Sequence, residues 1–185
     1  MTLTILDPIT ALVVIDLQKG IVGYPTAHTI AGILAAASAL TSAFRRHGLP
    51  VILVNATGGA AGRTERRRSF EGLPADWADL VPELDVQPGD LLVTKRCWGA
   101  FTNTGLQTRL NALGVTQLVL AGVATSIGVE STARHAYELG FNITLATDAM
   151  TDLSLEAHEN SLARIFPRLG ETGLTEEIIA ILDRR

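Results

Sequence analysis

The chain has 185 residues, 47% hydrophobic and 18% charged, with a formal net charge of −4. That length and apolar content allow one domain with a full core and argue against disorder. The negative balance, the single Cys97 and the lack of any apolar run of about 18 residues argue against a nucleic-acid surface, an internal disulfide and a membrane span.

The opening stretch, MTLTILDPIT, has neither a basic region nor an apolar run of the kind that marks a leader. With one cysteine, this sets the expectation of a reducing, cytoplasmic setting. Residues 11–15 (ALVVI) read as the first buried strand, and 28–47 as a helix. A second strand follows at 51–54 (VILV). Residues 56–90 break the rhythm with Gly, Arg and Pro, and read as a long excursion, a lid or a subunit contact. Then come a strand at 91–93 (LLV), a helix at 103–113, a strand at 118–121 (LVLA), a helix at 127–140, a strand at 143–146 (ITLA), and helices at 155–166 and 175–184. Gly48, Gly114 and Gly140 each follow a helical stretch, where a left-handed residue ends a helix. Strands apolar on both faces, alternating with helices, predict an α/β fold: a single-domain, doubly wound, mainly parallel sheet flanked by helices.

Such a sheet binds ligands beyond the carboxyl ends of its strands. Those ends carry Asp16-Leu17-Gln18, Asn55-Ala56-Thr57, Lys95, Gly122-Val123-Ala124-Thr125 and Asp148. Asp16 closes an apolar strand, so it is partly desolvated. That raises a carboxyl pKa and suits proton transfer, though a turn-capping role fits equally. Lys95 stands at an equivalent strand end and needs a carboxylate if buried; Asp16 is available on the same edge. The run from Gly122 to Arg134, GVATSIGVESTAR, leads from strand to helix through small side chains. It reads either as a tight turn or as N–H groups able to hold an oxygen. Its glycines are six apart, so it is not a dinucleotide fingerprint. Trp98 and Phe101 are candidates for a pocket wall. Arg63, Arg66 and Arg67 fit a solvated or inter-subunit charge run better than a contact to a substrate carboxylate, and Glu130, Arg134 and Asp148 read as structural.

DLQ at 16–18, TKRCWGAF at 94–101, GVATSIGVESTARHAYELGF at 122–141 and DAM at 148–150 resemble the isochorismatase-like hydrolase superfamily, which includes isochorismatases, nicotinamidases and N-carbamoylsarcosine amidases. The resemblance runs from residue 11 to about 170, is weakest over 57–90, and treats 1–185 as one such domain. It implies that Asp16 and Lys95 are the catalytic aspartate and lysine, and that Val123 and Ala124 are joined by a cis peptide. It places Gly128 where the amidase branch has its nucleophilic cysteine. Gly128 cannot form a thioester. Isochorismatases also lack that cysteine and cleave a vinyl ether with the aspartate as acid.

The resulting expectation is a hydrolase of a small, anionic organic substrate. Asp16, Lys95 and Gly128 form the catalytic set, with Gln18, Trp98, Phe101, Ala124, Thr125 and Ser126 as substrate-binding candidates. The N–H groups around 125–128 are expected to bind an oxygen, and Lys95 to steady Asp16 or meet a carboxylate. A non-catalytic binding protein and an amidase using Cys97 stay open as alternatives. No cofactor is expected. Nor is a metal, because residues 48–134 contain no histidine and His28, His47, His135 and His158 are scattered over helical segments. A homo-oligomer is expected, with no nucleic-acid or membrane partner.

Overall fold

The computed structural model describes residues 3–66 and 69–185. Six strands form one sheet in the order β3-β2-β1-β4-β5-β6. They are β1 (Thr10–Ile15), β2 (Val51–Ala56), β3 (Leu91–Lys95), β4 (Gln117–Val123), β5 (Asn142–Thr151) and β6 (Glu171–Gly173). All neighbouring pairs are parallel. The helices are α1 (Lys19–Val22), α2 (Ile30–Arg46), α3 (Leu106–Ala112), α4 (Glu130–Glu138), α5 (Leu155–Asn160) and α6 (Thr175–Leu182). A π-helical turn, Thr125–Val129, leads into α4, and a second, Ser161–Ile165, follows α5. No helix among the described residues is long and apolar enough to cross a membrane.

The period-two alternation of side chains sorts each strand between two cores. Leu12 and Val14 of β1 pack with Leu34, Leu40 and Phe44 of α2 and Ile178 of α6. Ala11, Val13 and Ile15 pack with Leu106 and Leu110 of α3 and Ala133 and Ala136 of α4. With both faces covered, β1 and β4 are buried along their whole length, which is why they read as unbroken apolar runs. Gly48, Gly114 and Gly140 have φ of 65°, 70° and 85°, as expected of residues that end helices.

Several elements escape the periodic reading, α1 and β6 entirely and the end of β5 in part. β6 carries no apolar side chain beyond the backbone-like Gly173, and is a strand because it pairs with Thr144, Leu145 and Ala146. β5 runs five residues past its apolar segment, to Thr151, with Asp148 inside it. The strand end therefore presents Asp152, while the Asp148 carboxylate accepts from the Thr175 N–H (2.8 Å) and hydroxyl (2.9 Å) at the start of α6.

The strand order reverses between β1 and β4, and the crevice at that switch point is where an open α/β sheet takes a ligand. Gly122 makes the crevice possible. Its φ is 121°, and an added Cβ would lie 2.0 Å from the carbonyl oxygen of Ile15. Only glycine lets the ends of β1 and β4 approach this closely. The excursion after β2 returns as an ordered strap. Leu80 bridges antiparallel to Gln18, and Lys19 N–H donates to the Asp79 carbonyl. The Trp77 indole lies on the α-carbon of Gly20, where a Cβ would be 1.9 Å from its Cδ1.

Candidate active site

β1 ends by turning sharply at Asp16, which has φ of 56°, a left-handed conformation that disfavours most side chains. The turn points its carboxylate across β2 to β3. Lys95 Nζ donates to Asp16 Oδ2 at 2.7 Å, with both residues buried. The ammonium also donates to the carbonyls of Cys97 (3.2 Å) and Trp98 (2.9 Å). These three bonds use all three donors of a lysine. Lys95 is thus a charge fixed against Asp16 by the loop after β3, with no donor left over for a carboxylate.

The other Asp16 oxygen, Oδ1, is buried and has no hydrogen-bond partner among the described residues. Burial pushes the Asp16 carboxyl up to about 6, against the pull of the Lys95 charge and its hydrogen bond. An acid half-protonated at about pH 6, with one unengaged oxygen, is poised to give or take a proton.

Asp16 lies in a small pocket of about 60 Å³ walled by Ile21 and Tyr24 beside α1, Val123 and Ala124 at the end of β4, Ile127 and Gly128 of the π-helical turn, and Leu153 after β5. The Val123–Ala124 peptide is cis. The Gly128 α-carbon faces the acid directly. A Cβ there would stand 3.3 Å from Asp16 Oδ2 and 3.0 Å from Ile15 Cγ2.

Asp16, Lys95, Gly128 and Ala124 therefore converge, whereas the other sequence candidates take different places. Gln18 is fully buried. Its amide donates to the carbonyls of Ala56 (3.0 Å) and Trp77 (3.1 Å) and accepts from the Ala56 N–H (2.7 Å), so it ties β2 to the strap. Phe101 packs against His135 and Phe141 in the core beside α4. Trp98 is 63% exposed and reaches the site through its backbone carbonyl. Thr125 is fully buried, its hydroxyl hydrogen-bonded to His158 Nδ1 at 2.8 Å. Ser126 directs its N–H (2.7 Å) and hydroxyl (2.8 Å) to Asp152 Oδ2. In the turn, the N–H groups of Ile127 and Val129 are engaged by the Ala124 carbonyl. Arg63 and Arg66 are exposed, and Arg67 lies outside the described residues. Glu130 pairs with Arg134 at 2.9 Å and accepts from Ser161.

Sequence reasoning misses the apolar wall of Ile21, Tyr24, Ile127 and Leu153, and it misses Asp152 and His158. The signal for Asp152 was available only once the true end of β5 was known. Among the described residues, no group of three or more His, Cys, Asp or Glu side chains is placed to hold a metal ion.

The isochorismatase domain family matches residues 10–177. YwoC of Bacillus subtilis, an uncharacterised isochorismatase family protein, is 45% identical over 177 residues, 92% of each chain. An isochorismatase family protein of Burkholderia thailandensis has the same fold, with a TM-score of 0.93 and 40% identity over 97% of this chain and 98% of that one. N-carbamoylsarcosine amidase of Thermoplasma acidophilum is more distant, with a TM-score of 0.76 and 25% identity over 91% and 97% of the two chains. A family match over the whole sheet, joined to near-complete coverage by relatives of this identity, places the chain in the isochorismatase family of hydrolases.

Proposed function

We propose that the protein hydrolyses a small vinyl ether or a similarly activated bond by acid–base chemistry at Asp16, without a cysteine nucleophile. The observation that carries this reading is the place of Gly128: its α-carbon abuts the Asp16 carboxylate, with no thiol between the acid and the pocket. Asp16, protonated on Oδ1, gives its proton to the terminal alkene carbon. Water then adds to the resulting oxocarbenium carbon and returns a proton to the carboxylate. The hemiketal collapses to an alcohol and a ketone, so the net reaction consumes one water. Lys95 acts on Asp16 rather than on the substrate. Its fixed charge offsets part of the burial penalty and so lets the acid ionise after each turn, while the Cys97 and Trp98 carbonyls hold the ammonium, and through it the carboxylate, in one orientation. The N–H groups of Thr125 and Gly128 are the ones proposed to meet a substrate oxygen.

The amidase reading places the nucleophile on Cys97. A screen over vinyl ethers, amides and ureas, run on wild type, Asp16→Asn and Cys97→Ser, separates the two. We expect turnover of a vinyl ether to fall by roughly two to four orders of magnitude in Asp16→Asn, because an amide cannot transfer the proton. Cys97→Ser should keep most of it. An inactive Cys97→Ser enzyme, or a thioester on Cys97 in intact-mass spectra, sinks the thiol-free mechanism. Binding of an aromatic carboxylate without turnover of any class favours a non-catalytic protein. We further propose that the protein is cytoplasmic and that it is a homo-oligomer, the latter supported by the exposed Trp98, Leu153 and Leu155. A monomer in sedimentation velocity removes that part.

A further inference from the structure

Behind the pocket, two side chains, Asp152 just after β5 and His158 on α5, hold the turn that carries Gly128. Asp152 is 2% exposed. Its Oδ2 accepts from both the N–H and the hydroxyl of Ser126, and its Oδ1 accepts from the N–H groups of Leu153 (2.7 Å) and Ser154 (3.3 Å). His158, on α5, is also buried and hydrogen-bonds the Thr125 hydroxyl. The His28 ring packs on it at 4.6 Å between centroids, and is itself bonded to Thr151. Four donors converge on one buried carboxylate that forms no ion pair among the described residues, so its hydrogen bonds to the turn are what compensate its burial.

Ile127 and Gly128, which follow the two residues so held, line the pocket beside Asp16. We propose that Asp152 and His158 are positioning residues for the reaction: by pinning Ser126 and Thr125 they press Ile127 and Gly128 against Asp16 and keep water from its free oxygen. The proposal rests on Asp16 being the acid, but not on which bond is cleaved.

The consequence is chemical as well as structural. The dryness of Asp16 is what lifts its carboxyl, so a loosened turn wets the acid and lowers its titration midpoint. The charged group in contact with Asp16 is Lys95. His158 faces His28, Asp152 and Glu159, and burial holds it below the ordinary histidine range.

The test follows the Asp16 carboxyl ¹³C shift against pH in protein labelled at aspartate, with no substrate present. Three folded variants are compared with wild type. In Asp152→Asn an amide NH₂ replaces an oxygen that receives two donors. Asp152→Glu keeps the negative charge but moves both oxygens. Thr125→Val removes the hydroxyl bonded to His158 with almost no change of volume. We expect each to lower the Asp16 midpoint, by about one pH unit in the Asp152 variants. A midpoint restored by Asp152→Glu but not by Asp152→Asn overturns the proposal in favour of a direct charge effect. So do unchanged midpoints in folded Asp152→Glu and Thr125→Val. If the Asp152 variants do not fold, Thr125→Val decides alone. Failure of every hydrolase assay leaves this titration intact, so the two readings fail separately.

Discussion

Asp16 is kept in two uncomfortable states at once, a left-handed backbone and a buried carboxylate. Its carboxyl titrates near 6 when folded and at 3.8 in an ordinary setting, and a difference of about 2 units corresponds to about 3 kcal/mol. The folded state binds this proton more tightly than the unfolded chain. The stabilising contribution is therefore complete below about pH 4 and lost as pH rises through about 6. In urea unfolding, the stability of wild type relative to Asp16→Asn should fall by about 2 kcal/mol between about pH 4 and pH 7. A difference that stays flat over that range places the acid's titration elsewhere. In the proposed mechanism the same ionisation sets the rate. If the protonated carboxyl is the working form, kcat/KM falls tenfold per pH unit above about 6. The charge pair with Lys95 was legible in the sequence because two ionisable residues close two apolar strands. The use of every lysine donor was not, because two of its acceptors are backbone carbonyls.

At the scale of elements, what can be read from sequence is what depends on neighbours in the chain. β1, β2 and β4 announce themselves by apolar runs, and the helices by their spacing and closing glycines. β6 and the end of β5 do not, because pairing with remote strands defines them. Asp152 and His158 were illegible for the same reason: their partners, Ser126 and Thr125, lie 26 and 33 residues away. The join between α1 and the strap is another long-range contact, and it is testable. Trp77 is 7% exposed and rests on Gly20, while Trp98, the second tryptophan, is 63% exposed. In Gly20→Ala the added methyl displaces the indole. We expect the blue-shifted component of tryptophan emission to be lost with the sheet still folded by circular dichroism. Unaltered emission from a folded Gly20→Ala protein means that Trp77 does not depend on that contact.

For the molecule as a whole, the sheet separates support from chemistry. The amino ends of the strands are closed by polar networks such as Asp7 with Thr116 and Asn142. The carboxyl ends at the β1–β4 reversal hold the acid, its lysine and the turn. The long excursion after β2 is fastened at both ends: the Thr57 N–H donates to the Lys95 carbonyl, and from Asp76 onward Lys19, Gln18 and Arg45 secure it. The described residues between these two clamps, 59–66 and 69–73, lie outside the sheet, and one clamp is on Lys95 itself. Grafting the corresponding stretch of a relative onto this scaffold should change which molecules are turned over, while the melting temperature shifts by no more than a few degrees, as surface exchanges away from a core do. Chimeras that melt far lower locate folding information inside that stretch. Those that melt normally make this region the place where evolution, or an engineer, can rewrite specificity without renegotiating the fold.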